Sequence, residues 1–446
     1  MGRLLIKNAR LVNEGRTTEG DLLIRDDRIE RIAPEIGGAD GTDVLDAAGR
    51  YLIPGMIDDQ VHFREPGLTQ KGDLATESAA AVAGGITSFM DMPNVNPLTT
   101  TRDALAGKYD LAAGRCSANY GFYLGATNGN IEERRRCRAS DACGIKVFMG
   151  ASTGDMLVDD SAALEQIFEH APVMVVTHCE HSPTIWENEA RARATYGDDV
   201  PMSEHPAIRS AAACLMSSSL ATEMARRHDA LLHVLHLTTA TEMSLFTKGH
   251  RRDKRITAEV CVHHLWFDES RYGDLGTRIK CNPAIKTAAD REALLQAVAE
   301  DRLDIIATDH APHTADEKRR TYFKAPAGLP LVQHALLCLF DLVAANRFTI
   351  ERVVDKTAHA VADIFGVEER GYLREGYFAD LALVNTERPH TVTPSSLLCK
   401  VRWSPFEGHT FGSSIDATIV NGTVAWQDGR LTGQVPGRRL RFGRRR

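Results

Sequence analysis

Apolar positions run along this chain in two rhythms. Near both ends they alternate with polar ones at the period of a half-buried strand. Residues 4–12 form one such stretch, and 21–25 and 28–32 flank an Asp26-Asp27 turn and predict a hairpin. Late in the chain, 380–384 predicts a strand, and 417–420 and 423–426 flank Asn421-Gly422, a type I′ hairpin signal. Two all-β ends around a different middle predict one small β-sandwich built from both termini. The middle alternates apolar runs with amphipathic, helix-like segments such as 73–83, 161–170 and 290–299. Eight runs recur, at 51–63, 86–92, 118–124, 144–149, 173–178, 231–237, 256–262 and 303–308. Eight strand–helix units make a (β/α)8 TIM barrel, an α/β fold. The expected division is 1–53 for the first part of the sandwich, 54–366 for the barrel, and 367–446 for the second part with a basic tail.

Barrels of this kind carry their chemistry at the C-terminal ends of the strands. Polar residues gather there. His62 follows the first run, Asp91 and Asn94 the second, and His178 and Glu180 the fifth. His236 follows the sixth, His263 and His264 the seventh, and Asp309, His310 and His313 the eighth. His62, His178, His236 and Asp309 come from four strands and are expected to meet at one mouth. Three imidazoles and a carboxylate are the ligand types for zinc or a similar divalent ion. Any one of these histidines alone reads better as structural; their shared placement argues for a site. His236 is preferred to His233 because it lies nearer the C-terminal end of its strand.

The first run ends in Asp58-Asp59-Gln60-Val61-His62-Phe63-Arg64-Glu65-Pro66-Gly67. Alternation puts Gln60, His62 and Arg64 on one face; the plain alternative is a polar surface turn. Arg64 offers a planar fork to a carboxylate. Lys146 stands inside the apolar run 144–149. A lysine there either snorkels to solvent or is desolvated with a lowered pKa. In the second case its neutral amine can react with carbon dioxide, and the carbamate can bridge two ions.

Composition narrows the class. The 446 residues, 43% apolar and 25% charged, are those of a globular protein, and the net charge of −7 gives no general attraction for nucleic acid. The basic end, 438–446, is expected to be a solvated tail. Nine scattered cysteines without a CxxC pair point to reduced thiols and a cytoplasmic setting. No stretch has the length and apolarity of a membrane span.

Seven motifs now stand along the chain. They are Val61-His62-Phe63-Arg64-Glu65-Pro66-Gly67, Asp91-Met92-Pro93-Asn94, Lys146-Val147-Phe148-Met149-Gly150, Thr177-His178-Cys179-Glu180, His233-Val234-Leu235-His236, Thr308-Asp309-His310-Ala311-Pro312-His313 and Ser404-Pro405-Phe406-Glu407-Gly408. Together they resemble the amidohydrolase superfamily and, within it, the dihydroorotases, over nearly the whole chain. The resemblance implies one or two zinc ions. His62 would hold one, His178 and His236 the other, and a carbamylated Lys146, made with carbon dioxide, would bridge them. It implies Asp309 as ligand and proton shuttle, and Arg64, Asn94, Asn282 and His313 as substrate contacts, with main-chain contacts near Ala327 and Gly328. It implies a small-molecule substrate, dihydroorotate or N-carbamoyl-aspartate, and a homodimer or larger assembly. One departure stands out. The family's first motif is His-x-His, and here Gln60 replaces the first histidine, a weaker and neutral ligand. The rival readings are another cyclic amidase, a dihydropyrimidinase or allantoinase, and a non-catalytic structural partner.

Overall fold

Gly55 divides what the apolar pattern merges. The run at 51–63 is two strands, Tyr51–Pro54 and Met56–Val61, in different sheets. Pro54 offers no N–H to continue a ladder. A side chain at Gly55 would drive its Cβ to 2.1 Å from the Thr87 methyl, so only glycine fits the crossing. Hydropathy is continuous across the break because both strands are buried, which is why the pattern alone does not show it. The computed structural model describes residues 2–38, 41–150 and 156–443.

Beyond Gly55 lies the barrel. Its strands are β1 (Met56–Val61), β2 (Ile86–Asp91), β3 (Asn119–Phe122), β4 (Ile145–Phe148), β5 (Val175–His178), β6 (Leu232–Val234), β7 (Ile256–Cys261) and β8 (Ile305–Ala307). Neighbours pair in parallel from β1 to β3. After Tyr123 the chain continues as Leu124–Gly125, which opens a second parallel sheet running from β4 to β8. The ring closes where the His62 N–H donates to the His310 carbonyl over 2.7 Å. Nearly every strand residue is buried, as in all-parallel sheets covered by helices. The helix Leu74–Ala83 follows β1 and starts on a capping box in which Asp73 and Thr76 satisfy each other's backbone N–H groups.

The nine-stranded sheet beside the barrel takes strands from both ends of the chain. Tyr51–Pro54 lies at its centre, parallel to Arg3–Asn13 and antiparallel to Leu381–Asn385. Its own core holds Ile6, Leu22, Ile24, Leu52, Leu381 and Ile419. The architecture is a TIM barrel with a β-sandwich.

The basic end is not a solvated tail where it is described. Residues 438–443 dock at the N-terminal end of β3, away from the barrel mouth. Leu440 and Phe442 are buried, and the Leu440 N–H donates to the Tyr120 carbonyl over 2.8 Å. The Arg439 guanidinium stacks 3.7 Å from the Tyr109 ring centre. Alternating arginines hid two apolar anchors from a reading by charge. The last three arginines lie outside the described residues.

Candidate active site

Two pairs of side chains form the centre of the mouth. The first joins β1 to β8. His62 Nε2 lies 3.1 Å from Asp309 Oδ1, and Gln60 Nε2 donates to the same oxygen over 3.1 Å. The Gln60 oxygen points away, 3.7 Å from Cys261 Sγ. Gln60 therefore presents a donor to Asp309 where the family pattern has an imidazole. His62 Nδ1 lies 2.8 Å from Asn94 Oδ1 and donates to it, so a neutral ring turns its lone pair toward the Asp309 carboxylate. Two acceptors facing each other at 3.1 Å need a proton or a cation between them. Burial alone would raise the Asp309 carboxyl, but the hydrogen bond and charge of His62 outweigh it and hold the group below the usual carboxylate range.

The second pair joins β5 to β6. His178 Nδ1 faces His236 Nε2 at 2.9 Å. His178 Nε2 donates to Glu180 over 3.0 Å, which leaves Nδ1 bare. Glu180 is anchored in turn by Arg209. Burial keeps both rings from charging. His236 Nδ1 is buried with no hydrogen-bond partner among the described residues, so whichever nitrogen bears the proton, one donor or acceptor is left over. A tetrahedral ion with bonds of about 2.0–2.1 Å holds its ligand atoms roughly 3.3 Å apart. The 2.9 Å between the facing nitrogens is near that edge, so the donors fit a zinc-type ion.

Lys146 is buried on β4, its ammonium 4.6 Å from the centre of the Phe148 ring. It does not snorkel. Burial pushes its pKa down to about 7 against the pull of Asp309 and Glu259. Its charge acts on Asp309, His178 and His236 alike, so it stands within electrostatic reach of both pairs.

A positive wall lies beside them. Arg64 is buried, its Nε donating to the Pro312 carbonyl over 3.1 Å and its Nη2 lying 3.0 Å from His313 Nε2. Lys71 donates to His313 Nδ1 over 3.1 Å, which puts the ring proton on Nε2, 2.9 Å from the Ala327 carbonyl. Among the described residues no carboxylate pairs with Arg64. Gly328 follows Ala327 at φ +140°, and a Cβ there would sit 2.3 Å from the Ala311 carbonyl oxygen. Asn282 carries a buried side-chain oxygen without a hydrogen-bond partner among the described residues.

Arg64, His236 and Asp309 all take positive φ, at 71°, 37° and 51°. Non-glycine residues there are strained, and such strain gathers at functional sites. His310, one residue on, faces away from the mouth. It bonds Glu77 over 2.9 Å and accepts the Leu331 N–H, bracing the end of β8. Asp91 pairs with Lys108 and accepts the Phe63 N–H, holding the 62–64 turn.

Sequence reasoning missed several supports. Lys318 donates to the carbonyls of Lys280, Pro326 and Gly328, holding the 326–328 segment against the mouth. His233 is a fully buried core histidine held by acids. Its Nε2 lies 3.1 Å from Glu259 and 3.5 Å from Asp59, and its Nδ1 2.9 Å from Thr257. Burial opposes its charge, yet the two carboxylates raise its pKa to about 9. Asp59 beside Gln60 was the available signal, an acid inside a fully buried strand.

The amidohydrolase family matches residues 51–425. A dihydroorotase of Halobacterium salinarum is 34% identical over 427 residues, covering 94% of this chain and 97% of that protein. An allantoinase of Bacillus velezensis is 30% identical over 430 residues, covering 96% and 94%. Among solved structures, the L-hydantoinase (dihydropyrimidinase) from Arthrobacter aurescens superposes with a TM-score of 0.93 at 25% identity, covering 99% of this chain and all of that one. With family match, fold and strand-end histidines in agreement, the chain belongs to the amidohydrolase family and is a hydrolase.

Proposed function

We propose that this protein is a dihydroorotase, interconverting L-dihydroorotate and N-carbamoyl-L-aspartate in pyrimidine synthesis. The observation that carries the reading is Arg64, a buried guanidinium at the mouth with no carboxylate partner among the described residues. Asp309, Asp91, Glu317 and Glu77 offset its charge from a distance, but a buried charge without a bonded counter-ion is costly. A substrate with its own carboxylate supplies that counter-charge, whereas a neutral hydantoin or dihydropyrimidine ring does not. Arg64 and the Asn94 amide clamp the carboxylate beside His313, whose two ring nitrogens are engaged by Lys71 and the Ala327 carbonyl, and Asn282 and the Ala327-Gly328 main chain hold the ring.

His178 and His236 would hold one divalent ion and His62 and Asp309 a second, with Lys146, as its carbamate, shared between them. A bound ion polarises the ring carbonyl and lowers the pKa of a water molecule. In ring opening, Asp309 takes a proton from the attacking water as its oxygen adds to the carbonyl carbon. The carbon–nitrogen bond then breaks, and Asp309 returns the proton to the departing nitrogen. His62 and Gln60, both on Asp309 Oδ1, aim the carboxylate for both transfers.

Turnover by the purified, zinc-loaded protein tests this directly. Dihydroorotate should be opened with a kcat/KM at least a hundredfold above those for allantoin, hydantoin and dihydrouracil. A preference for a neutral ring would move the assignment to another cyclic amidase, and no turnover of any of them would leave the structural partner.

A further inference from the structure

One cluster of donors has no use in the chemistry above. Strand β7 ends at Cys261, and the helix Val262–Trp266 begins at once, carrying His263 and His264 on its first turn. One donor atom from each of these three residues lies within 4.8 Å of the other two. All three are buried, at 0%, 1% and 3% exposure. Both ring nitrogens of His263, and Nδ1 of His264, have no hydrogen-bond partner among the described residues. Buried polar atoms are rarely left so, and one unpartnered nitrogen from each ring can be satisfied by a common partner.

The tautomers point the same way. His264 Nε2 lies 3.2 Å from the Pro283 carbonyl oxygen, which can only accept. Nε2 therefore bears the proton, and Nδ1 is left with a bare lone pair and no partner among the described residues. One ring nitrogen donating to a backbone carbonyl while the other stays free to ligate is the usual posture of a metal-ligating histidine. Burial keeps both rings neutral. The other buried group of possible ligands, Asp59, His233 and Glu259, differs. There both histidine nitrogens already have partners, and the ring reads as an imidazolium between two acids.

One sulfur and two nitrogens are a soft to borderline donor set, suited to zinc in a tetrahedral site with one position left. The Gln60 oxygen, 3.7 Å from Cys261 Sγ, is the neighbouring oxygen donor. We propose that Cys261, His263 and His264 bind a zinc-type ion of their own, with the Gln60 oxygen beside its fourth position. This ion is separate from those held by His178, His236, Lys146, His62 and Asp309. It ties the end of β7 to β1 behind Asp309. The departure at position 60 then has a local logic, since its amide serves Asp309 with one end and the new site with the other.

The test uses the whole chain and the metal alone. The other ligand set contains no sulfur. X-ray absorption of the zinc-loaded wild type should therefore show a sulfur shell at about 2.3 Å. Cobalt substitution should give a thiolate-to-metal charge-transfer band in the near ultraviolet. Cys261→Ser should lose the band and one equivalent of metal, while Lys146→Ala should keep the band and lose metal from the sites at His178, His236, His62 and Asp309. No sulfur shell in the wild type, which needs no variant to fold, would overturn the site. So would a cobalt–thiolate band that survives in Cys261→Ser, or metal content unchanged by that substitution.

Discussion

At the scale of single residues, the mouth turns on what each polar atom faces. Arg64→Lys keeps the charge and loses the fork that meets a carboxylate on two donors. We expect KM to rise and kcat/KM on dihydroorotate to fall by about tenfold to a hundredfold, roughly 1.4–2.7 kcal/mol. Steady-state kinetics decide it, and unchanged constants would remove Arg64 from the substrate. Asp309→Asn should reduce kcat by at least about a hundredfold, because an amide cannot carry the proton; near-normal turnover with normal metal content would exclude the shuttle. Gln60→His concerns the pair His62–Asp309, which has one imidazole fewer than the family pattern. Graded chelation of the wild type should release this ion before the one at His178 and His236, and Gln60→His should delay that release. Simultaneous loss of all ions in both proteins would show that Gln60 does not weaken the pair. Histidines 62, 178 and 236 were legible as candidates because strand-end placement is a property of the chain. The orientation of the Gln60 amide was not, nor was its meeting with Cys261. Both depend on contacts across 201 residues of sequence.

At the scale of elements, the seam where β8 closes onto β1 is built on a buried acid. Asp58 is fully buried, and its carboxyl receives the Thr308 N–H over 3.1 Å and the Thr308 hydroxyl over 2.6 Å. Burial, with neighbouring Asp59, nevertheless raises its pKa to about 8. The folded protein therefore keeps a proton on Asp58 that the unfolded chain releases near 4. Between those values the native state binds more protons, so this group's contribution to stability falls as pH rises from about 4 to about 8. Asp58→Asn cannot ionise. Its thermal midpoint should exceed that of the wild type at pH 8.5 by more than it does at pH 5, by a few degrees. Parallel melting curves at the two pH values would show that Asp58 is charged in the fold. The eight strands themselves were readable, since buried parallel strands leave plain apolar runs. The break at Gly55 was not, because hydropathy reports burial and not which sheet a strand joins.

At the scale of the whole molecule, the C-terminal β strands, the barrel and the C-terminal segment meet in one buried polar knot. Asp380 takes the Asn421 N–H over 2.7 Å and the Asn119 amide over 3.0 Å, and pairs with Arg370. Asn421 reaches across to Asn119 over 2.7 Å and to the Pro436 carbonyl over 2.8 Å. Alternation and turn signals show that both ends are β, but only the folded chain shows the knot that ties the C-terminal strands to β3. From it the last described residues run along the bottom of β3, where Leu440 and Phe442 are buried. Burying such side chains is worth about 1.5–3 kcal/mol each. Truncation after Gly437 removes both anchors, along with the Arg439 stack on Tyr109. The truncated protein should lose roughly 3–5 kcal/mol of stability, read as a lower midpoint in denaturant. Its kcat/KM per folded molecule should stay within about twofold of the wild type, because the segment lies at the end of the barrel opposite the mouth. An unchanged midpoint would mean that the segment is not held in solution. A large loss of turnover at an unchanged folded fraction would mean that the bottom of the barrel is coupled to its mouth.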